Sequence, residues 1–454
     1  MKRREFFQRV QPAAMALVTV PSGWNRGARY EGISQSERGV NIHPFQSQLM
    51  RGFPTPEDQI VTMLSSQESR EHLVWAHQHM SELCATQPIS RGNRPLTVLS
   101  RNIRNMDNVK VSGVTGDKTS LGKVLIETYT DAFLVMRRGK ILTEQYFNGM
   151  KPESCHHLWS LSKSISVGVL FNLIERGLVD EHEKVTRYLP ELASSGYEGA
   201  TVRQLLDMQS NVEYDYGEST EADGLNVGLS RGEQGRHLRA AGYFPRLDGE
   251  DPVTGQYDVY QTLRSKSNQA HGSVFRYKCS DSGVLGWICE KVTGQRFADL
   301  VSQHIWSKLG AEQSAYIVSD SNGTCTPYSG ISVTLRDLAR WGQMHLRLGM
   351  WSGTQIIPRR FIEDIQQNHD PTKFTEDSWL SPYVLPGTAY RSQFWIPGNK
   401  TDAYYADGAY GQYCYIHPES ETVIVRFATQ SKGLDNPEWL KIMARVFADL
   451  VEVI

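Results

Sequence analysis

Two predicted β-hairpins enclose a long middle stretch of helical periodicity, and this order constrains the fold more than any other feature of the chain. The first hairpin covers residues 132–147, with a tight turn at Gly139, and the second covers residues 410–427. Between about residues 160 and 310, apolar side chains recur with the period of an α-helix. We therefore expect an α+β fold in which an antiparallel sheet, flanked by helices, carries an inserted helical lobe.

The length of the chain leaves room for further segments around this core. At 454 residues it can form one large domain or two closely packed ones. Residues 26–110 are polar and rich in turns, so we expect an N-terminal extension wrapped on a domain at 111–454. Residues 1–25 begin with Lys2-Arg3-Arg4, as a twin-arginine-like leader does, but Gln11 and Pro12 interrupt the apolar part. Export to the periplasm and retention in the cytoplasm both stay open.

The composition excludes several classes of protein. The net charge is −2 with acidic and basic residues interspersed, so we expect no nucleic-acid partner. Six scattered cysteines without a C-x-x-C pair argue against a disulfide framework and a structural zinc site. After the N-terminus no stretch approaches the ~18 apolar residues of an integral membrane segment. The sequence contains neither a phosphate-binding glycine loop nor a dinucleotide fingerprint, so we expect no cofactor.

The pair Ser160-x-x-Lys163 is the strongest chemical signal in the chain. Apolar residues at helical spacing follow Lys163 as far as Gly177, so Ser160 should lie at a helix N-terminus. Residues three apart on a helix share a face, and the amine can therefore reach the hydroxyl. The helix dipole favours the alkoxide. A serine becomes nucleophilic only beside a base, and burial lowers the pKa of a lysine enough to serve.

Two other patterns suggest chemistry but lack the required context. Residues 228–232 match G-x-S-x-G, yet the preceding residues do not form the buried strand that a nucleophile elbow needs. The pairs His77/His79 and His156/His157 lack metalloprotease spacing and acidic partners. We interpret these histidines as surface or satisfied core residues and expect no metal.

Two later clusters could complete a site around Ser160. Tyr277 precedes a predicted helix and could act as a base or proton relay, or it could be an amphipathic tyrosine with a satisfied hydroxyl. Residues 406–412 contain glycines that permit close backbone approach, so an edge strand there could aim an N–H at a substrate carbonyl. The alternative is an ordinary strand entry.

The order of these motifs resembles the serine β-lactamase and penicillin-binding-protein superfamily, and more narrowly its 6-aminohexanoate-dimer hydrolase (nylon-oligomer hydrolase) branch. That branch also has carboxylesterase activity, and the resemblance covers about residues 125–450. It implies a serine β-lactamase-like catalytic domain with the DD-peptidase fold. The motifs that carry the narrower resemblance are residues 129–135, Leu206-Asp207-Met208-Gln209, Val284-Leu285-Gly286-Trp287, Val292-Thr293-Gly294, Arg336-Asp337-Leu338-Ala339-Arg340 and Tyr410-Gly411-Gln412.

The resemblance implies a role for each matching residue. Ser160 would be the acylated nucleophile, Lys163 its proton acceptor, and Tyr277 the relay of the proton to the leaving group. The backbone N–H groups of Ser160 and Ala409 would form the oxyanion hole, where each donor typically contributes ~3 to 4 kcal/mol to transition-state stabilisation. The residues expected to contact substrate are Tyr214, Tyr216 and Cys279.

Several departures from the family pattern bear on the substrate. Residues 406–408 replace the family's lysine, threonine and glycine, so the cation that grips a β-lactam carboxylate is missing and β-lactamase activity is disfavoured. The Tyr-x-Asn or Tyr-x-Ser element has become Tyr277-x-Cys279, and Glu218 stands where the branch has a substrate-contacting tyrosine. The tryptophan that closes over the oligomer in that branch has no evident counterpart between residues 217 and 242.

We therefore expect a serine hydrolase that cleaves small carboxylic esters or linear amides through an acyl-enzyme on Ser160. Two alternatives remain from the sequence alone. An acyltransferase would use an amine or alcohol at the second step in place of water. A non-catalytic, penicillin-binding-like protein would bind ligand without turnover, as Cys279 and the lost cation allow. The oligomeric state also stays open, with a homodimer among the alternatives.

Overall fold

A large, mostly antiparallel sheet forms the centre of the protein. The structure is a computed structural model that describes residues 40–43, 45–215, 230–250, 254–266, 269–375, 378, 380, 384–398, 401–430 and 438–454. One compact unit spans residues 39–454. The predicted leader at 1–25 lies outside the described residues.

The main sheet has the strand order β1-β7-β6-β17-β16-β15-β14-β13, and β3 also pairs with β7. The strands β1 and β3 run parallel to β7, while all other neighbours in this sheet are antiparallel. Its strands are β1 (Asn41–Ile42), β3 (Ser100–Arg101), β6 (Thr130–Arg137), β7 (Lys140–Tyr146), β13 (Ala389–Arg391), β14 (Phe394–Ile396), β15 (Tyr404–Gly408), β16 (Gln412–His417) and β17 (Thr422–Ala428).

A second, four-stranded sheet lies beside the first and has the order β2-β9-β10-β8. Its strands are β2 (Thr86–Ile89), β8 (His156–His157), β9 (Ala315–Val318) and β10 (Ile331–Val333). Each has only two to four residues, too few for a period-2 pattern to stand out in the sequence. Two small hairpins complete the strands: β4 (Lys110–Ser112) with β5 (Lys118–Ser120), and β11 (Met350–Trp351) with β12 (Thr354–Gln355).

Helices cover both faces of the main sheet and fill the middle of the chain. Those described are α1 (Ser65–Glu68), α2 (Arg70–Gln78), α3 (Met80–Leu83), α4 (Leu121–Glu127), α5 (Ser162–Glu175), α6 (Val185–Tyr188), α7 (Val202–Leu206), α8 (Glu233–Ala240), α9 (Gln256–Thr262), α10 (Cys279–Thr293), α11 (Phe297–His304), α12 (Leu335–Leu346), α13 (Arg359–Gln367) and α14 (Glu438–Val453). None of them combines the length and apolarity needed to cross a bilayer.

Both faces of the main sheet are buried because alternate strand residues enter two different cores. On one side, Leu134 and Val425 join the core that contains α5, α10 and α12. On the other, Val135 and Ile424 join the core formed with α4 and α14. The α12 helix packs so closely that a Cβ added at Gly342 would lie 2.7 Å from Val423 Cγ1. Burial on both faces explains why β6 and β17 are almost continuously apolar.

The predicted α+β fold with a helical middle is confirmed. The first hairpin is observed as β6 and β7, and the helix after Lys163 is α5, which ends before Gly177. The C-terminal hairpin pairs β16 with β17, but Tyr410 lies in the turn before it rather than in a strand.

Of the expected edge strand within residues 406–412, residues 409–411 form a turn, and residues 406–408 lie in a strand that is not the edge strand of the sheet. These residues belong to β15, which lies inside the sheet because the β13–β14 hairpin pairs with it. That pairing consists of the single match Trp395–Tyr405. The end of β15 that carries Gly408 therefore extends beyond its β14 neighbour.

The segment before residue 110 contributes to both sheets. Its strands β1 and β3 pair with β7, and β2 pairs with β9. The short helices α1 to α3 stand between them in the chain. The domain boundaries at 25 and 110 stay predictions.

Candidate active site

Ser160 lies in a single 3₁₀ turn, Trp159–Leu161, that leads from β8 into α5. The second sheet fixes this turn from one side, because Leu158 N–H donates to Ile331 O at 2.9 Å. Ser162 Oγ then accepts the N–H of Ile331 at 3.0 Å. Ser160 itself is half-buried, whereas almost every other residue of the turn and of α5 is buried. Ser160 is therefore held at the N-terminus of a core helix, and part of the residue remains exposed to solvent.

Lys163 points at Ser160 from one helical turn later. Its Nζ lies 2.9 Å from Ser160 Oγ, 3.4 Å from Cys279 Sγ and 2.9 Å from the carbonyl oxygen of Tyr328. The residue is 2% exposed, and no carboxylate among the described residues forms an ion pair with it. Burial lowers the pKa of Lys163, while Cys279 and the charge of Asp407 oppose this shift. The arrangement is that of an amine that can accept a proton from the serine.

Tyr277 and Cys279 reach Lys163 from the start of α10. The Nζ atom lies 5.0 Å from the centroid of the Tyr277 ring, and this ring stacks on Trp395 at 5.7 Å. The intervening Lys278 is buried and donates to the carbonyl of Ser210 at 2.9 Å, which anchors the segment. The structure thus brings together the four side chains at positions 160, 163, 277 and 279.

The turn after β15, at the end of a strand of the main sheet, forms one wall of the site. A Cβ added at Gly408 would lie 2.1 Å from the carbonyl oxygen of Leu158, so β15 touches the backbone that carries Ser160. The Gly408 carbonyl accepts the N–H of Gly411 at 3.2 Å. Since a trans peptide points its C=O and N–H in opposite directions, the N–H of Ala409 faces away from this turn.

Arg426 and Gln412 hold the same turn from behind. The fully buried guanidinium of Arg426 donates to the carbonyl of Gly411 at 3.0 Å. The side chain of Gln412 donates to the carbonyl of Ala409 at 3.1 Å and to that of Ala428 at 2.7 Å. The backbone conformation at Ala409 is therefore fixed by side chains of β16 and β17.

Asp407 is a site residue that the sequence interpretation missed. It is half-buried and accepts a hydrogen bond from the Trp395 side chain. Burial raises its pKa to about 7, although Lys163 and Trp395 oppose this. The sequence did carry a signal, because an acid occupies the stretch where the family has a lysine. Trp395 and the carbonyl of Tyr328 gave no local signal, since each reaches the site only through long-range packing.

Of the residues expected to contact substrate, Tyr214 and Cys279 are described and Tyr216 lies outside the described residues. The Tyr214 hydroxyl donates to Gln234 Oε1 at 2.7 Å and lies 2.9 Å from His237 Nδ1. Its ring packs on the same apolar cluster as Cys279. Burial and the nearby Lys163 lower the pKa of His237 to about 3, so the imidazole is neutral there. Tyr214 thus belongs to a hydrogen-bonded group beside the site.

One group of possible metal ligands occurs among the described residues: Asp402, His417 and Glu419. Two of the three are exposed, and the group lies at the end of the β15–β16 pair opposite Gly408. It has no contact with the serine–lysine pair. Of the histidine pairs noted in the sequence, the buried His156 places its Nε2 atom 3.3 Å from a carboxylate oxygen of Asp131.

Comparisons with known proteins agree with this geometry. The description "Beta-lactamase" belongs to the family that matches residues 125–446. A 6-aminohexanoate-dimer hydrolase from Paenarthrobacter ureafaciens is 32% identical over 387 residues, which cover 85% of this chain and 93% of that protein. Esterase EstB from Burkholderia gladioli is 24% identical over 221 residues, 47% of this chain and 51% of that protein.

A solved structure points the same way. A candidate 6-aminohexanoate-dimer hydrolase from Bacillus anthracis superposes with a TM-score of 0.75 at 28% identity, covering 87% of this chain and 97% of that one. The predicted resemblance and the predicted class, a serine hydrolase of esters or amides, are confirmed. The fold, the serine–lysine pair and these matches together show that the chain belongs to the beta-lactamase family.

Proposed function

We propose that Ser160 attacks the carbonyl carbon of a carboxylic ester or linear amide and forms an acyl-enzyme that water then hydrolyses. The observation that carries this proposal is the 2.9 Å contact between Ser160 Oγ and the buried amine of Lys163. A hydroxyl at this distance can pass its proton directly to the amine as the C–O bond forms. The nucleophile and its base are therefore in place before substrate arrives.

Protons then move through Lys163 and Tyr277. As the tetrahedral intermediate collapses, the C–O or C–N bond to the leaving group breaks and the leaving group takes a proton from the Tyr277 hydroxyl. The protonated Lys163, whose Nζ lies 5.0 Å from the centroid of the Tyr277 ring, restores that proton. In the second half, water gives a proton to Lys163 as its oxygen attacks the acyl carbon. The ester bond to Ser160 Oγ then breaks, the carboxylic acid leaves, and Lys163 returns the proton to the Ser160 oxygen.

The oxyanion of each intermediate would be held by the N–H groups of Ser160 and Ala409. The close approach of Gly408 to Leu158 and the opposite orientation of the Ala409 amide support this pairing. Two such donors in a site shielded from water are the usual source of transition-state stabilisation in acyl transfer. The N-terminus of α5 adds a favourable dipole.

The negative charge of Asp407 disfavours binding of β-lactams relative to linear esters and amides. A β-lactam carries a carboxylate, which the family pattern grips with a cation in the stretch now occupied by residues 406–408. Above about pH 7 the carboxyl of Asp407 is ionised and repels that group. We propose esters and ω-amino amides of the kind named for the Paenarthrobacter ureafaciens relative as the substrate class. The same acid would attract an ammonium group on the substrate.

The two alternatives to hydrolysis, acyl transfer and ligand binding without turnover, differ from it at different steps. An acyltransferase would share the acylation half and differ only in the second nucleophile, which added amine or alcohol would reveal in the products. A binding protein without turnover has no need of a buried lysine 2.9 Å from a serine hydroxyl. The contact therefore favours catalysis, and a homodimer stays a prediction.

Replacing Ser160 tests the proposed function directly. We expect Ser160→Ala to reduce hydrolysis of p-nitrophenyl esters to background, because the acyl-enzyme cannot form. Ser230→Ala, in the G-x-S-x-G stretch, is the matched control and should turn over like the wild type. Circular dichroism would verify that both variants fold. Turnover retained in Ser160→Ala, or lost in Ser230→Ala, would contradict the assignment.

A second prediction concerns the backbone contact at Gly408. Its added Cβ would meet the carbonyl oxygen of Leu158 at 2.1 Å, and backbone atoms cannot rotate away, so β15 and the Ser160 turn must separate. We expect Gly408→Ala to lower kcat by about 100-fold, because the two oxyanion donors move apart. KM for a small ester should change little.

Gly342→Ala provides the control for this change. Its added Cβ would lie 2.7 Å from Cγ1 of Val423, a residue that carries no proposed catalytic group. It should lower the free energy of unfolding by ~1 to 2 kcal/mol and leave kcat per folded molecule unchanged. Equal values of kcat in the two variants would argue against an oxyanion donor at Ala409.

The pH dependence supplies a third prediction. The negative charge of Asp407 raises the pKa of Lys163, so Asp407→Asn lowers that pKa. Because the base must be unprotonated, the rising acid limb of kcat/KM should move to lower pH. Asp402→Asn, before the other end of β15, is the control and should leave the profile in place. An unmoved limb in Asp407→Asn, or one moved to higher pH, would show that Lys163 does not set it.

A further inference from the structure

Two aromatic residues with strained backbones flank the proposed oxyanion donors. Trp159 precedes the amide of Ser160 and has φ = 47°, and Tyr410 follows Ala409 and has φ = 65°. For a residue other than glycine the left-handed conformation costs roughly 1 to 2 kcal/mol, so it persists only where other contacts enforce it. Both side chains are buried. The contacts that hold the Trp159 ring therefore constrain the peptide that carries the Ser160 N–H, and those that hold the Tyr410 ring constrain the backbone that follows Ala409.

A histidine from α2 holds Trp159. The indole Nε1–H donates to Nε2 of His77 at 2.9 Å, and both groups are buried. Because Nε2 of His77 accepts this hydrogen bond, the imidazole must be neutral and carry its proton on Nδ1. Burial and the neighbouring His156 and His157 lower the pKa of His77 well below its ordinary value, which keeps the acceptor nitrogen free of a proton.

A glutamine from α1 holds Tyr410. The phenolic hydroxyl donates to Oε1 of Gln67 at 3.2 Å inside the protein. The ring of His77 also meets the Tyr410 ring edge to face, with 5.1 Å between centroids, and Trp159 lies 5.7 Å from Tyr410. The two held rings are therefore in contact with one another and with the same histidine.

The segment that supplies both side chains precedes the family match. Gln67 and His77 lie in α1 and α2, whereas the matched residues begin at 125. Apolar side chains dock this segment beside the site: Met63, Leu73 and Met80 join the cluster that contains Trp159 and Tyr410. The N-terminal segment thus reaches the backbone on both sides of the proposed oxyanion hole.

We propose that Gln67 and His77 are positioning residues that fix the two oxyanion donors, and that the N-terminal segment is thereby a working part of the active site. The inference rests on the proposed function, since it presupposes acylation of Ser160. Neither side chain touches the reacting atoms. Through Trp159, His77 sets the orientation of the peptide plane that carries the Ser160 N–H. Through Tyr410, Gln67 fixes the residue that follows Ala409, and so acts on the peptide plane of the Ala409 N–H across one further residue.

The test compares two pairs of variants. His77→Phe keeps an aromatic ring but removes the acceptor, and His77→Gln offers an acceptor again. Gln67→Met removes the other acceptor, and Gln67→Glu restores one. His79→Phe is the matched control, because His79 follows α2, stacks on Trp75 at 4.1 Å and makes a similar hydrogen bond to the carbonyl of Trp75.

The readouts separate positioning from folding. A fluorophosphonate counts the active sites, so that kcat refers to competent protein, and thermal unfolding reports stability. We expect His77→Phe and Gln67→Met to lower kcat by about 10- to 100-fold with KM within about threefold of wild type. The acceptor-restoring variants should recover most of the loss, and His79→Phe should keep the wild-type kcat.

Each other outcome overturns the inference. A wild-type kcat in His77→Phe and Gln67→Met, or a loss matched by His79→Phe, would assign the segment a structural role only. If His77→Phe fails to fold, the Gln67 pair decides by the same criteria. Failure of the proposed function has a different signature, because wild-type enzyme would then carry no adduct on Ser160.

Discussion

The contact between the buried amine of Lys163 and the hydroxyl of Ser160 is the interaction on which the rest of the site depends. An ammonium removed from water without a carboxylate partner is costly, so burial favours the neutral amine that catalysis requires. The amine contacts the sulfur of Cys279 and the carbonyl oxygen of Tyr328. Asp407 adds a negative charge nearby without forming an ion pair with it. The fold thus retains a buried lysine that the proposed mechanism uses as its base.

Three parts of the fold converge to make this contact. The second sheet fixes the turn that carries Ser160, and the segment at the start of α10 supplies Tyr277 and Cys279. The strand β15 approaches until only a glycine fits at position 408. Two of the connecting pairings are short, since β8 has two residues and β15 pairs with β14 at one position. The contacts among these parts hold the site residues in place, and the buried guanidinium of Arg426 holds the turn after β15 through the carbonyl of Gly411.

Sequence patterns predicted the features that are local. The serine–lysine pair needs one helical turn, and the hairpin β6–β7 needs an alternating apolar run with a turn, so both were visible in the sequence. The short strands β8 to β10 and β13 to β14 were not, because their pairing is set by distant partners. The same reason explains why the sequence did not reveal the position of β15 inside the sheet or the contacts that Asp407, Trp395 and the N-terminal helices make beside the site. Long-range packing decides where those side chains point.

Intact-mass spectrometry of the enzyme after exposure to a fluorophosphonate, followed by peptide mapping, tests the central claim most directly. The account predicts a single adduct per chain, located on Ser160, and a labelling rate that rises with pH as Lys163 loses its proton. It also predicts no adduct on Ser160→Ala. An adduct on another residue, or no adduct on a wild-type protein that hydrolyses esters, would contradict a mechanism built on this serine and this lysine.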